Sequence, residues 1–272
     1  MSGPAEGRGA AVEVLGADAL EGLRVEEKRR GDHLRLGTWE ASVPDLACGI
    51  TRARAGTYSV SAGTGDTLLD TYGGLATGLG FGAVAVPRQV HGTDVIVVSG
   101  PPGPRPGTWV WLAGRVDGLV TGARGVLLAS TAADCVPVYL LDPTSGVVGL
   151  VHAGWRGVAG GIFRTGLSRV LAAGADLEGV RVHLGPAICG ACYEVDGPVL
   201  GALDLPGERA HVDLRGLLAR QAVAAGVDPN WVSCSAWCTR CAGAELHSHR
   251  ASGGQAGRMA AFIGLRGTVT SV

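Results

Sequence analysis

The chain has 272 residues, 46% of them hydrophobic, and its formal net charge at pH 7 is −1. This length is enough for one large globular domain or two small ones, and a near-neutral charge without a basic stripe argues against a nucleic-acid partner. Charged residues interrupt every apolar stretch of residues 1–30, so we expect no signal-peptide core and no membrane span, and we predict a cytoplasmic protein.

Short runs of valine, leucine and isoleucine predict a domain rich in strands. The predicted strands are 83–90, 94–99, 116–121, 126–130, 136–141, 147–152 and 180–184. The predicted helices are 67–80, 158–174 and 213–226, with Asp213 as a candidate N-cap of the last. A segment rich in proline and glycine at 100–107 predicts a loop. Together these elements indicate an α/β sandwich around a mostly central, mixed sheet.

Three residues that can bind a soft metal lie at the ends of apolar runs. They are His91 in AVAVPRQVHGTDV, Cys135 in STAADCVPVYLLD and His152 in VVGLVHAGWRG. Zinc accepts two imidazoles and one thiolate and keeps a fourth position for water or substrate. Each residue taken alone is more often structural, but their shared context predicts a metal site. Cys135 is either a ligand or a nucleophile paired with His152.

The segment HAGWRG predicts a glycine turn that leads from a strand into a helix. Trp155 supplies an aromatic platform and Arg156 a fixed positive charge, which suits an anionic or planar substrate. The alternative is a tight structural turn with Trp155 in the core. Asp134, next to Cys135, either orients a ligating imidazole or caps the strand end.

Near the C-terminus, His247, His249 and Arg250 precede a glycine-rich turn and a closing strand. A His-x-His pair on an extended segment directs both rings to one side, which suits a metal or a substrate phosphate. A polar strand edge is the more common role of such a pair.

Seven cysteines in a chain without a predicted secretory signal indicate reduced thiols rather than a disulfide framework. Four of them form the pairs Cys189-x2-Cys192 and Cys238-x2-Cys241. Two such pairs can hold a structural zinc, but about 45 residues separate them, whereas about 15 to 20 is usual. We therefore interpret them as ordinary thiols.

Five ordered motifs resemble the YfiH-type family, also called laccase-domain or polyphenol-oxidase-like proteins and peptidoglycan-editing factors. They are QVHGTDV, ADCVPVYLLD, VGLVHAGWRGVAGG, LGPAICGACYEV, and CT followed by HSHR and GRM, within about residues 47–266. The resemblance implies an α/β fold of the α/β/β/α layered sandwich type with mixed sheets, related to cysteine hydrolases. It implies one catalytic domain at 31–272 after an N-terminal extension at 1–30, and a catalytic zinc bound by His91, Cys135 and His152.

The resemblance also implies a purine nucleoside enzyme that carries out zinc-dependent phosphorolysis of adenosine, inosine and methylthioadenosine, with adenosine deaminase activity besides. The small-molecule substrates are then a nucleoside and phosphate, and we expect a monomer or homodimer. The residues assigned to catalysis are Cys135, His152, Arg156 and Arg250. Those assigned to substrate binding are Gln89, Trp155, Arg156, His249 and Arg250.

Three alternatives stay open. A cysteine amidohydrolase that edits peptidoglycan precursors would use Cys135 as nucleophile and His152 as base. Copper in the same three-ligand site would give polyphenol oxidase activity. A true laccase, with its full set of multicopper centres, would need on the order of ten histidines. This chain has seven, which argues against that class of oxidase. The third alternative is a non-catalytic metal-binding interaction module.

Two features depart from known patterns. The H-x-E signature of cytidine-deaminase zinc sites is missing, because Gly92-Thr93 follow His91, and Glu194 or Asp134 is then the candidate acid or base for deamination. Gly65-Asp66 match the family, but its Asn-Leu element is absent, and Thr71-Tyr72 stand where Asn-Arg is usual. If that arginine holds phosphate or substrate, activity is altered here.

Overall fold

The computed structural model describes residues 14–25, 27–60, 69–100 and 107–268. Gly65-Asp66, most of the predicted loop at 100–107 and the first part of the N-terminal extension lie outside these residues. Residues 14–30 supply three short strands, one to each sheet of the molecule. The division into an extension and a single domain stays a prediction.

The strands of the described residues are β1 (Val14–Leu15), β2 (Arg24–Val25), β3 (Lys28–Arg30), β4 (His33–Arg35), β5 (Leu46–Thr51), β6 (Ala83–Val86), β7 (Val95–Val97), β8 (Trp109–Leu112), β9 (Gly118–Thr121), β10 (Val126–Ala132), β11 (Val136–Asp142), β12 (Val147–Ala153), β13 (Arg181–Leu184), β14 (Glu194–Asp196), β15 (Arg209–Val212), β16 (Val232–Ser235) and β17 (Met259–Leu265). The α-helices are α1 (Gly37–Ser42), α2 (Gly74–Gly78), α3 (Trp155–Ala159), α4 (Ile162–Ala172), α5 (Gly197–Ala202) and α6 (Leu214–Ala224). A π-helical turn covers Leu69–Gly73, and 3-10 turns cover Ala17–Leu20, Ala53–Ala55, Leu177–Gly179, Gly190–Cys192, Pro229–Trp231 and Gly243–Glu245.

Two seven-stranded mixed sheets form the frame. Sheet I has the order β3-β4-β5-β17-β10-β6-β8, and sheet II has the order β2-β16-β13-β11-β12-β9-β7. A small third sheet has the order β1-β15-β14. The apolar runs alone suggested one central sheet. The structure has two large sheets instead, and strands that the sequence does not predict, such as β5, β8 and β16, complete them.

The hydrophobic core lies in three layers. Leu128 and Ile263 of sheet I pack with Leu141 and Leu150 of sheet II between the two sheets. Helices α4 and α6 pack on the outer face of sheet II. The segment around α2 packs on the outer face of sheet I. Strands β11 and β12 are buried at every position, because both of their faces are covered. This is the predicted α/β/β/α layering.

The predicted strands are confirmed, with shifted ends. The strand predicted at 83–90 ends at Val86, since Pro87 cannot donate to a sheet ladder. The helix predicted at 158–174 is two helices, because Gly161 adopts a φ of 82°, outside the helical region. Asp213 caps α6 as predicted: its side chain accepts a hydrogen bond from the Arg215 N–H at 3.1 Å.

The predicted helix 67–80 is a π-helical turn followed by the short helix α2. Tyr72 of that turn is fully buried, and its hydroxyl donates to the Tyr58 carbonyl at 2.8 Å. It therefore fills the core behind sheet I. Within the described residues, no helix has the length and apolar character that a membrane crossing requires.

Candidate metal centre

The three residues predicted as metal ligands lie together at one end of sheet II. One ligand atom from each of His91, Cys135 and His152 lies within 4.8 Å of the others. Cys135 directly precedes β11, and His152 lies near the end of the antiparallel β12, opposite Pro137. The ring centroids of the two histidines are 4.9 Å apart, edge to face. Hence a turn and two adjacent strand ends bring the three side chains to one place.

Asp117, directly before β9, holds two of these residues in position. Its buried carboxylate accepts hydrogen bonds from the backbone N–H groups of Val90, His91 and Gly92 at 3.2, 2.9 and 2.7 Å. The same carboxylate lies 3.0 Å from Nδ1 of His152. A carboxylate that accepts a hydrogen bond from Nδ1 of a histidine fixes the tautomer of the ring and leaves Nε2 available for a metal.

Sequence analysis missed Asp117, although one signal was present. It stands in RVDGLV, at the beginning of an apolar strand, and a charge that is buried with a strand needs a partner. Asp134, which was a candidate for orienting an imidazole, does not do so. Its carboxylate accepts hydrogen bonds from the Thr239 hydroxyl at 2.5 Å and the Arg250 N–H at 2.7 Å.

The charges of the centre depend on one another. Burial alone would raise the pKa of Cys135, but the neighbouring His152 and His91 rings lower it to about 6. Burial alone would lower the pKa of His152, but Cys135 and Asp117 raise it to about 9. Both shifts favour a Cys135 thiolate beside a charged His152 ring. A thiolate is the form that binds metal and also the form that attacks electrophiles.

Gly154 lets the turn after β12 approach the centre. A Cβ atom at this position would lie 3.0 Å from Sγ of Cys135 and 3.1 Å from Cδ2 of His91. At the C-terminal end of α3, a Cβ at Gly160 would lie 2.7 Å from Cγ2 of Thr93. These glycines are required by close approach, so HAGWRG packs against the turn that carries His91.

A cavity of about 370 Å³ lies between Trp155 and Arg250, with Tyr193 also in its wall. The Arg156 guanidinium carbon lies 4.2 Å from the centroid of the Trp155 ring, and that of Arg250 lies 5.2 Å from the centroid of Tyr193. Burial, with the charges of Cys135 and Asp134, raises the pKa of Tyr193 to about 12. Trp155 and Tyr193 thus present aromatic faces, and Arg250 a fixed cation, to a cavity whose wall also carries the Glu194 and Asp196 carboxylates.

The other predicted residues make contacts of their own. Nε2 of Gln89 donates a hydrogen bond to the Thr131 carbonyl at 2.8 Å, and its Oε1 accepts one from the Thr131 N–H at 2.9 Å. Gln89 therefore connects the turn that carries His91 to β10. Nε2 of His247 lies 3.2 Å from the Gly56 carbonyl, whereas the exposed His249 ring lies against Gly254. The two rings therefore have different neighbours. The roles of Gln89 and His249 in substrate binding stay predictions.

The two Cys-x2-Cys pairs, interpreted from their spacing as ordinary thiols, lie together in the structure. The Sγ atoms of the four cysteines lie within 4.8 Å of one another; the residues are Cys189, Cys192, Cys238 and Cys241. Sequence spacing misleads here, because the cysteines are brought together by neighbouring strands of sheet II.

Fold and site together define a two-sheet α/β protein with a His2Cys group at the strand ends of one sheet. The chain belongs to the family described as multi-copper polyphenol oxidoreductase laccase, whose model matches residues 68–266. This match agrees with the YfiH-type resemblance of its motifs.

Relatives of the chain carry enzyme names. It is 40% identical over 203 residues to a Deinococcus radiodurans protein named purine nucleoside phosphorylase, covering 70% of this chain and 74% of the relative. A protein from an unknown prokaryotic organism, named adenosine deaminase RL5, is 34% identical over 156 residues, covering 53% of this chain and 60% of the relative.

Solved structures share the fold. The crystal structure of YlmD from Geobacillus stearothermophilus aligns with a TM-score of 0.76 at 32% identity and covers 89% of this chain and 99% of that one. Bacillus licheniformis YfiH aligns with a TM-score of 0.75 at 26% identity, over 87% and 97% of the two chains.

Proposed function

We propose that this protein is a zinc-dependent purine nucleoside phosphorylase, with adenosine deamination as a side activity. The observation that carries the proposal is the His2Cys group with its Asp117 support, beside a cavity walled by aromatic rings and arginine. The names of the relatives, purine nucleoside phosphorylase and adenosine deaminase, support the choice of substrate. A cytoplasmic location and a monomeric or dimeric state stay predictions.

The donor set fits a catalytic zinc. His91, Cys135 and His152 supply three ligands, and such sites keep a fourth position for water or substrate. The lowered pKa of Cys135 favours the thiolate that metal binding needs, and Asp117 supports His152 as carboxylates support metal-bound imidazoles. Bound zinc would supply a Lewis acid able to polarise an oxygen or activate water. Copper accepts the same ligands and is the alternative metal.

The remaining residues account for binding and orientation. In phosphorolysis a phosphate oxygen forms a bond to C1′ of the ribose while the bond from C1′ to the purine nitrogen breaks. Arg156 and Arg250 provide fixed charges for the phosphate, and the Trp155 and Tyr193 rings provide faces for the base. The Tyr193 hydroxyl, whose pKa is raised further to about 12, is protonated at neutral pH and can donate a hydrogen bond to the substrate.

The test combines metal analysis with product analysis. The purified protein, assayed with inosine or adenosine plus phosphate, is expected to release free purine, and a chelator is expected to stop the reaction. His91→Ala should lose the metal of this group and most of the activity. His33→Ala, on β4 away from the centre, serves as the control. Absence of phosphate-dependent purine release from metal-replete protein would exclude the proposal.

A second candidate is a cysteine amidohydrolase, and one observation favours it. Cys135, His152 and Asp117 have the arrangement of a thiolate nucleophile, its base and an orienting carboxylate. His91→Ala should leave such an enzyme partly active, whereas iodoacetamide should inactivate it without any need for metal. Ammonia or amino-acid release from peptidoglycan precursors is the corresponding assay.

A further inference from the structure

A second group of metal-type ligands lies outside the His2Cys group. Cys189 and Cys192 stand between β13 and β14, and Cys238 and Cys241 follow β16. The four Sγ atoms lie within 4.8 Å of one another, and those of Cys192 and Cys241 are 3.4 Å apart. Four sulfurs around a tetrahedral zinc are about 3.8 Å apart, for a Zn–S distance of about 2.3 Å. We infer that these four cysteines bind a second, structural zinc ion.

The topology explains how two distant pairs meet. Strands β13 and β16 are parallel neighbours, with Leu184 opposite Cys234. The segments that follow them therefore begin side by side at the C-terminal ends of these strands. Ala187 and Cys238 form a parallel bridge, and the Thr239 N–H donates to the Ala187 carbonyl at 3.0 Å. The residues between the pairs build β14, α5, β15, α6 and β16. The length of this intervening chain therefore does not keep the two pairs apart.

Backbone amides point at one of the sulfurs. The N–H groups of Cys189 and Cys241 lie 3.2 and 3.4 Å from Sγ of Cys238. Hydrogen bonds from amides stabilise a charged acceptor more than a neutral one, and a coordinated cysteine is a thiolate. The Arg240 guanidinium, 3.4 Å from the Cys192 carbonyl, places positive charge beside the four sulfurs.

A buried ion pair anchors both cysteine segments. Asp213 and Arg215 are 3.0 Å apart and almost fully buried. The Asp213 carboxylate accepts from the Gly190 N–H at 3.1 Å, and the Arg215 guanidinium donates to the Trp237 carbonyl at 3.2 Å. Gly190 lies within the first pair and Trp237 directly precedes the second. The segments are therefore held in register from outside the sulfur cluster.

The zinc would stabilise the wall of the candidate centre. Tyr193 follows the first cysteine pair, and Thr239, within the second pair, donates to Asp134. The N–H of Ile188 donates to the Asp134 carbonyl at 3.0 Å. Asp134 directly precedes Cys135, so both cysteine segments are linked to the residue beside the thiol. Four protein ligands leave no open position, which is typical of structural rather than catalytic zinc.

Metal content of the full-length protein tests this inference. We expect two zinc ions per chain in the wild type and one in the double variant Cys192→Ser with Cys241→Ser. Cys48→Ala, which changes a buried cysteine outside the cluster, should retain both. In His91→Ala the zinc that remains should be the one bound by cysteines. After cobalt substitution, the strong sulfur-to-cobalt charge-transfer absorption of four thiolates should persist in His91→Ala. In the double variant it should fall to the weaker band of the single Cys135 thiolate.

A second measurement covers the case in which the double variant does not fold. In the wild type, alkylation mapped by mass spectrometry should find the four cysteines protected until a chelator removes zinc, and zinc release should parallel their labelling. Recovery of Cys192–Cys241 or Cys189–Cys238 disulfides from freshly purified protein, or free labelling of the four thiols in the metal-loaded protein, would overturn the inference. A single zinc bound only by the cysteines would instead leave it standing and contradict the proposed catalytic zinc.

Discussion

At the level of single residues, Asp117 has the most connections in the candidate centre. Burying an unpaired carboxylate costs several kcal/mol, and here three amides and one imidazole compensate that cost. These interactions also lower the pKa of Asp117, although burial alone would raise it. The carboxylate therefore stays charged at neutral pH and positions His91 through its backbone and His152 through its ring.

Replacing this carboxylate should weaken metal binding. In Asp117→Asn only one of the two terminal side-chain atoms can accept hydrogen bonds, whereas both carboxylate oxygens do so in the wild type. His152 also loses its anionic partner. We expect zinc affinity to fall about 10- to 100-fold, the usual effect of removing the group that supports a metal-bound histidine. Competition with a chromophoric chelator measures the affinity.

Asp142→Asn provides the matched control for Asp117→Asn. Asp142 is also buried, but it accepts hydrogen bonds from the turn at Thr144 and Ser145. This variant should lose stability without losing zinc affinity. Equal zinc affinity in Asp117→Asn and the wild type would show that the carboxylate does not support the metal.

At the level of elements, the junction of β12 and α3 determines how closely the chain approaches the centre. Gly154 has a φ of −78°, which any residue can adopt, so the requirement for glycine comes from its neighbours. Periodicity predicts the strand and the helix on either side. It does not predict the break at Gly161 or the contact with the His91 turn, because both depend on packing between elements.

Gly154→Ala should therefore disturb the metal ligands more than the helix. The added Cβ would lie 3.0 Å from Sγ of Cys135, tighter than ordinary van der Waals contact, so the thiol or the turn must shift. We expect a lower zinc content with secondary structure preserved, measured by elemental analysis and circular dichroism.

Gly201→Ala in α5 is the control for this change, since nothing lies within 4 Å of its added Cβ. Alanine is favoured over glycine in helices by up to about 1 kcal/mol. The control should be as stable as the wild type or slightly more stable. A zinc content in Gly154→Ala equal to that of the control would contradict the steric argument.

At the level of the whole molecule, the two large sheets are joined by side chains as well as by apolar packing. Tyr139 of β11, in sheet II, is buried and donates a hydrogen bond to the Gly49 carbonyl of β5, in sheet I, at 2.8 Å. Gly49 is needed there, since a Cβ at this position would lie 2.2 Å from the Leu34 carbonyl oxygen. The contact fixes one sheet against the other.

Tyr139→Phe should destabilise the fold without changing the metal centre. It removes one buried hydrogen bond between the sheets, worth about 1 kcal/mol. We expect the free energy of unfolding in urea to fall by about that amount, with unchanged zinc content. An unchanged free energy of unfolding would show that this hydrogen bond does not stabilise the contact between the sheets.

The sequence by itself determined which strands are buried and which side chains can bind a metal. His91, Cys135 and His152 are recognisable because their chemistry is local and each closes an apolar run. The α/β/β/α layering was available only through the resemblance, since runs such as 136–141 show burial but not the sheet to which they belong.

Only the tertiary structure decided which side chains meet. Asp117 supports His152 across neighbouring strands, whereas Asp134, adjacent to Cys135, contacts Thr239 and Arg250 instead. Likewise, parallel pairing of β13 with β16 brings together cysteine pairs that lie about 45 residues apart. The physical reason is that a ligand set depends on distances in space, and strand pairing makes these short whatever the length of chain between.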